Sequence, residues 1–157
     1  MAPVPQKCTR GFSLIELVVV VVIVGILAAI AIPRLSRGSA GAADSSLSGN
    51  LAVLRKAIDL YSSEHGGSFP TATDFSNAMT QYSDASGNLS ATPTTVFIYG
   101  PYLRSIPPLP VASAKGSTGV AAASAAGIGW IYAPATGSIQ ANATTEADIS
   151  GKLYSAY

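Results

Sequence analysis

The sequence predicts an α+β protein in which one long N-terminal helix packs on a small antiparallel sheet. Three observations predict it. An apolar run, interrupted by Ser13 and Glu16, covers Phe12 to Ile32 and stops at Pro33. Beyond it, Leu47, Leu51, Leu54, Ile58 and Tyr61 recur at spacings of four, three, four and three, which is one stripe of a helix. Near the C-terminus, Gly129-Trp130-Ile131-Tyr132 and Ser138-Ile139-Gln140-Ala141-Asn142 flank Ala133-Pro134-Ala135-Thr136-Gly137, the pattern of a hairpin with a Gly-containing loop. The expected organisation is a leader over 1–11, a membrane-crossing helix over 12–32, its amphipathic continuation over 33–65 and a small C-terminal region over 66–157.

The leader carries Lys7 and Arg10 and no acidic residue, which holds that end in the cytoplasm and sends the C-terminus across. Arg34 and Arg37 beyond the apolar run reduce this asymmetry. As a helix, 12–32 would extend on the order of 32 Å, close to the thickness of a hydrocarbon core. The β-branched run Val18 to Val24 disfavours helix in water. In lipid the backbone must bond within its own segment, so helix is the available solution. Gly25 and Ala29 form a small-xxx-small pair that admits a neighbouring helix. Pro33 removes a backbone donor and should loosen the turn before it.

Glu16 is the anomaly within this run. A carboxylate at the centre of a membrane span costs about 2.5–3.5 kcal/mol, less near the interface, unless a partner answers it. No Lys or Arg lies within the span. A cut after Gly11 would create an α-amine on Phe12, four residues back and on the same helical face, either in the same chain or in a neighbour.

The sequence Arg10-Gly11-Phe12-Ser13-Leu14-Ile15-Glu16-Leu17, followed by an apolar run with Gly25 and Pro33, resembles the N-terminus of type IV pilins and type II secretion pseudopilins. The resemblance implies the pilin-like lollipop fold. It also implies a prepilin peptidase that cuts between Gly11 and Phe12 and N-methylates Phe12. Glu16 is then the subunit-assembly residue, and Gly25 and Pro33 are positions of helix flexibility. The implied partners are copies of this chain and other pilin-like subunits, the prepilin peptidase, an inner-membrane assembly platform and membrane lipid. The implied location is the bacterial inner membrane, single-pass, with the N-terminus cytoplasmic and the rest periplasmic or extracellular, assembled later into a pilus or pseudopilus. Gly100-Pro101-Tyr102-Leu103 through Pro107 is a second, shorter likeness to major pseudopilins. Two departures stand beside it. Only Glu146 and Asp148 lie where those proteins carry an acidic calcium loop, so no metal site is carried over. The sole cysteine, Cys8, precedes the cut, so the mature chain could not close the disulfide loop of many type IV pilins.

The same stretch is also compatible with a secretory signal peptide cut at Ala29-Ile30-Ala31, which would make Ile32 the first mature residue. Lipoprotein anchoring requires a cysteine after the apolar run, and Cys8 precedes it.

The amphipathic helix is expected to reach about Ser63, with a soft region between Pro33 and Asp44 and a stop at Gly66-Gly67. A short helix is expected near Asp74 to Met79, a turn at Ser86-Gly87-Asn88, and an extended loop from Tyr99 held open by Pro107, Pro108 and Pro110. Val96-Phe97-Ile98 has strand character, Lys115 to Gly127 reads as an Ala/Ser/Gly linker, and Lys152 to Tyr157 as a last strand.

Composition and chemistry narrow the function. A net charge of +1 leaves no basic footprint for nucleic acid, and no nucleic-acid partner is expected. His65, the only histidine, reads as a solvated residue at a helix C-terminus. No nucleophile pairs with it in sequence, and no metal-ligand spacing or phosphate loop is present. No catalytic residue, metal or cofactor is therefore expected, and the chain is read as a filament subunit, not an enzyme. A membrane-tethered binding module presenting the 130–142 hairpin is the competing reading, and an exported hydrolase the third.

Overall fold

A computed structural model describes residues 11–157. The leader with Lys7, Cys8 and Arg10, and the side chains of Ser36 and Arg37, lie outside the described residues. The chain divides into two units between Ser39 and Ala40.

Helix α1 runs from Leu14 to Glu64. Its secondary structure passes through Pro33 without a break, so the expected soft region past that residue is helical. The missing N–H removes a single intrahelical bond, and the bonds on either side maintain the helix. At the other end Gly66 and Gly67 take positive φ angles of 62° and 87°. The Gly67 N–H returns to the Ser62 carbonyl at 2.8 Å, the bond pattern of a glycine-terminated helix.

Within the unit Ala40–Tyr157 the sequence stripe becomes the core. Leu47, Leu51, Leu54 and Ile58 are at most 1% exposed and Tyr61 is 5% exposed. They pack with Phe75, Met79, Leu109, Trp130, Tyr132 and Ile139 in one cluster. Helix α2, Phe75–Thr80, is a short amphipathic element that contributes Phe75, Ala78 and Met79 to that cluster.

The hairpin of β4 (Ile128–Ala133) and β5 (Ser138–Ala141) is antiparallel, with Trp130 opposite Ala141 and Tyr132 opposite Ile139. Alternation along β4 puts Trp130 and Tyr132 on the core side. Gly137 closes its loop at φ 69°, and a Cβ there would sit 2.5 Å from the Phe69 ring, so both backbone angle and packing demand glycine. A third strand, β3 (Gly119–Ala121), joins β4 in parallel. It lies in the stretch expected to be a linker. Ala, Ser and Gly show no apolar alternation there, and pairing with β4 makes the strand. A separate two-stranded antiparallel pair, β1 (Tyr82–Ser83) and β2 (Leu89–Ser90), is closed by the Asp84 to Asn88 turn. In it the Asp84 carboxylate accepts the Asn88 side-chain amide and the Ser86 and Asn88 backbone N–H groups. These donors, the Asn88 side chain foremost, hold Asp84 below the usual carboxylate range.

The proline-rich loop is extended as expected and fastened at its carbonyls. Trp130 Nε1 donates to the Pro107 carbonyl at 2.8 Å, and Asn50 Nδ2 to that of Pro108 at 3.1 Å. Val96-Phe97-Ile98 is not a strand. Val96 and Ile98 stay more than half exposed, and only Tyr99 bridges, to Ser83. The last segment also differs from the expected strand. It makes one bridge, Ala147 to Leu153, and then a 3-10 turn over Tyr154–Ala156. Arg55 Nη2 on α1 donates to the Tyr157 backbone oxygen at 2.8 Å, which ties this segment to the helix.

Leu54 is fully buried in the stripe, so Leu54→Ala should destabilise this unit by about 2–5 kcal/mol, checked by the loss in denaturant midpoint at unchanged slope. A second outcome concerns Tyr132, whose hydroxyl donates to the Pro70 carbonyl and whose burial pushes it up to about 12. A folded value above that of the unfolded chain makes the contribution complete below the ordinary phenol range and progressively lost towards pH 12. Absorbance titration at 295 nm should therefore show tyrosine ionisation accompanying unfolding, and Tyr132→Phe should remove the share of that coupling due to Tyr132, since burial pushes Tyr61 and Tyr102 up as well.

Candidate functional site

The N-terminal segment begins with three residues outside any regular element, Gly11, Phe12 and Ser13, and turns helical at Leu14. Ser13 stands at the N-cap position. Its carbonyl accepts the Leu17 N–H at 3.2 Å, the first bond of the helix. Its own N–H is taken by the Glu16 carboxylate, Oε2, at 3.1 Å. This is the return half of a capping box, in which the acid three residues into the helix satisfies the backbone N–H of the cap. The helix N-terminus also carries partial positive charge, which favours a carboxylate at Glu16. The Ser13-x-x-Glu16 spacing is the signal that marks Ser13, and sequence reasoning passed over it.

Phe12 is 81% exposed and lies before the helix, so in the uncut chain it does not share a helical face with Glu16. The carboxylate turns back to Ser13 because that N–H is the nearest orphan donor. One bond to one oxygen leaves acceptor sites on Glu16 for an additional donor, including a cation brought by another chain.

From Phe12 to Leu35 every large apolar side chain is between 45% and 81% exposed. Apolar residues occupy the whole circumference of this part of α1, in contrast to the single stripe of Leu47 to Tyr61. Its most apolar 18-residue window has a mean hydropathy of 3.2, long and apolar enough to cross a membrane by length and composition. Gly25 has open space where a Cβ would stand, so the helix backbone is approachable there. Pro33 lies within α1, near the end of the apolar run. The structure thus brings Ser13 and Glu16 together and leaves Gly11, Phe12, Gly25 and Pro33 as separate positions along the chain.

His65 stands differently from the solvated position expected of it. It is 6% exposed, stacked on Tyr61 with ring centroids 3.8 Å apart, and faced by Tyr99 at 5.5 Å. Near the C-terminus, Glu146 accepts from the Ser113 N–H and hydroxyl. Asp148 accepts from Ser150, Lys152 and Tyr157. The Ser150 and Tyr157 hydroxyls chiefly hold Asp148 well below the carboxylate range. Among the described residues no group of three metal-ligating side chains converges.

Comparison with known proteins adds one finding. No curated protein and no solved structure matches the chain. Residues 6–32 match the family model of the prokaryotic N-terminal methylation motif. The matched span contains Gly11, Phe12, Ser13, Glu16 and Gly25 and ends one residue before Pro33. At its N-terminus, therefore, this chain carries a prepilin-type methylation motif of the kind that type IV pilins and pseudopilins share.

Proposed function

We propose that this chain is a structural subunit of a pilus-like helical filament, anchored first in the bacterial inner membrane and then drawn out of it. The observation that carries this is the conjunction of the methylation motif over 6–32 with an apolar helix surface that stays exposed among the described residues. Cleavage between Gly11 and Phe12 by a prepilin peptidase leaves a carboxylate on Gly11 and an α-amine on Phe12, which the same enzyme methylates. The amine keeps its positive charge after methylation.

Once 1–11 is gone, Phe12 stands one residue before the Ser13 cap, and its ammonium becomes a charged donor for the Glu16 of an adjacent copy. Inside an apolar filament interior such a charge-assisted bond is favoured over two separately buried ions. Burying the apolar surface of 14–35 among identical neighbours replaces lipid contacts with packed side chains. Gly25 and Ala29 set the closest approach, and Gly25 with Pro33 supplies the weaker helical bonding that lets the segment adjust as it leaves the bilayer. The Lys7 and Arg10 leader orients insertion with the N-terminus cytoplasmic and 66–157 outside. An inner-membrane assembly platform and other pilin-like subunits complete the set of partners.

Within this class we favour a type II secretion pseudopilin acting in protein export. A chain cut after Gly11 has no cysteine for a disulfide-closed loop, and its 100–107 segment resembles that of major pseudopilins. A type IV pilin for adhesion, motility or DNA uptake is the second reading. It draws on the Glu146 and Asp148 oxygens, which are engaged by Ser113 and by Ser150, Lys152 and Tyr157 and do not converge as a calcium loop.

Gly11→Ala should leave uncut precursor in the membrane, whereas the parent protein should give an intact mass beginning at Phe12 with one added methyl group. A mature N-terminus at Ile32 would instead establish a signal peptide. Glu16→Ala should insert normally, yet weaken each subunit contact by about tenfold or more through the lost charge-assisted bond. Sheared-filament recovery should then fall sharply, and abundant normal filaments from that variant would end the assembly role of Glu16.

A further inference from the structure

The segment 146–157 folds back on itself around one carboxylate. Asp148 Oδ1 accepts the Ser150 N–H at 2.7 Å, the Ser150 hydroxyl at 2.6 Å and the Lys152 N–H at 3.0 Å. The other oxygen, Oδ2, accepts the Tyr157 hydroxyl. A carboxylate offers about four acceptor sites, so these four donors fill it. The backbone closes the same loop. The Asp148 N–H donates to the Lys152 carbonyl at 2.9 Å, and the Gly151 N–H to the Asp148 carbonyl at 3.1 Å. Gly151 makes the return at φ 87°, an angle that glycine adopts without steric cost.

The loop also carries its own positive charge. Lys152 Nζ stands 3.8 Å from the centroid of the Tyr157 ring, whose hydroxyl is the one on Asp148. Arg55 Nη2 on α1 then holds the Tyr157 oxygen at 2.8 Å and lies 3.4 Å from the Ile139 carbonyl of β5. One guanidinium thus joins the segment to both the helix and the sheet.

The likeness to major pseudopilins implies calcium in this part of the chain, and the donor set decides against it. Calcium takes about six to eight oxygen ligands, carboxylates foremost. Of the two acids here, Asp148 is filled, and Glu146 gives one oxygen to the Ser113 N–H and the other to the Ser113 hydroxyl. Among the described residues no third metal-ligating side chain joins them. A cation would have to displace donors whose hydrogens point at Asp148, and would do so in a loop that already holds an ammonium. The residues present do not fit the ion.

We propose that the segment 146–157 is a metal-independent clasp, in which the chain's own hydroxyl and amide donors do what a divalent cation does in a calcium loop. The unit Ala40–Tyr157 then keeps its fold whatever the calcium level around it. This holds whether or not the chain assembles into a filament.

The test uses the full chain in detergent micelles. Denaturant unfolding is followed by the fluorescence of Trp130, the only tryptophan and fully buried, and amide hydrogen exchange is read at Ser150 and Lys152. Midpoint and exchange should be the same with a chelator as with calcium at about 10 mM, above the roughly 0.1–1 mM at which extracellular modules bind it. Asp148→Asn should speed exchange at the two amides by about tenfold or more, because bonds to a charged acceptor are lost. Tyr157→Phe is the milder variant. It keeps the carboxylate and both amide bonds, removes one donor, and should speed the same exchange by about threefold. A saturable rise in midpoint with calcium, or exchange left unchanged by either substitution, would overturn the proposal.

Discussion

An apolar helical surface left uncovered by the described residues is the constraint from which the rest of this molecule follows. From Phe12 to Leu35 the large apolar side chains surround α1 and remain exposed. In water such a surface is unfavourable at roughly 25 cal/mol per Å², so the segment must reside in lipid or among other helices. Each of those environments excludes water and raises the cost of a lone charge. That is why the single carboxylate of the segment matters so much. In the chain as described, the cost is limited locally. Glu16 lies at the helix N-terminus, where the Ser13 N–H and the helix dipole favour it. The capping bond and the proposed intersubunit bond need not compete, because a carboxylate has acceptor sites for both.

The second half of α1 obeys a different rule in the same helical geometry. Leu47, Leu51, Leu54, Ile58 and Tyr61 form one face, and the opposite face, with Lys56 and Asp59, is exposed. Packing in this unit is then set by matched shapes. Trp130 and Tyr132 enter from β4, Phe75 and Met79 from α2, and the polar tips of the two ring systems reach carbonyls at Pro107 and Pro70. Those two bonds explain how a proline-rich loop and a glycine-terminated helix end can border a core. Each supplies a carbonyl with no strand or helix partner, and each carbonyl receives a buried donor that would otherwise be unmatched.

Legibility in the sequence follows where the information resides. The α1 stripe and the β4–β5 hairpin were readable because burial recurs with the period of the element that carries it. The apolar run and its acid were readable from composition alone. Strand β3 was not, since Gly119-Val120-Ala121 sits among Ala, Ser and Gly and becomes a strand only through pairing with β4. Likewise the chain end carries Tyr and Leu in a strand-like order, yet it forms a 3-10 turn whose Tyr157 oxygen is held by Arg55, more than a hundred residues earlier. His65 shows the same limit in one residue. Its neighbours Glu64, Gly66 and Gly67 all read as surface, and its burial comes from Tyr99 and the stacked Tyr61. At the N-terminal site the acid was legible and its local partner was not weighed, although Ser13-x-x-Glu16 was present in the spacing.

The capping geometry sharpens what cleavage can accomplish. Before it, the chain continues through Gly11, so the backbone nitrogen of Phe12 is a neutral amide with one hydrogen. Afterwards the same nitrogen is an ammonium with more donors and a full charge, one residue from the cap whose N–H already binds Glu16. A long-lived bond from that ammonium back to its own Glu16 would close a tight loop over a position already occupied by the Ser13 donor. An approach from a neighbouring chain carries no such crowding and adds the burial of the surrounding apolar surface. The proposed hydrolysis of a single peptide bond would therefore change the segment from one that is satisfied by its own cap to one with a surplus cation. In a water-poor environment that surplus favours association over isolation.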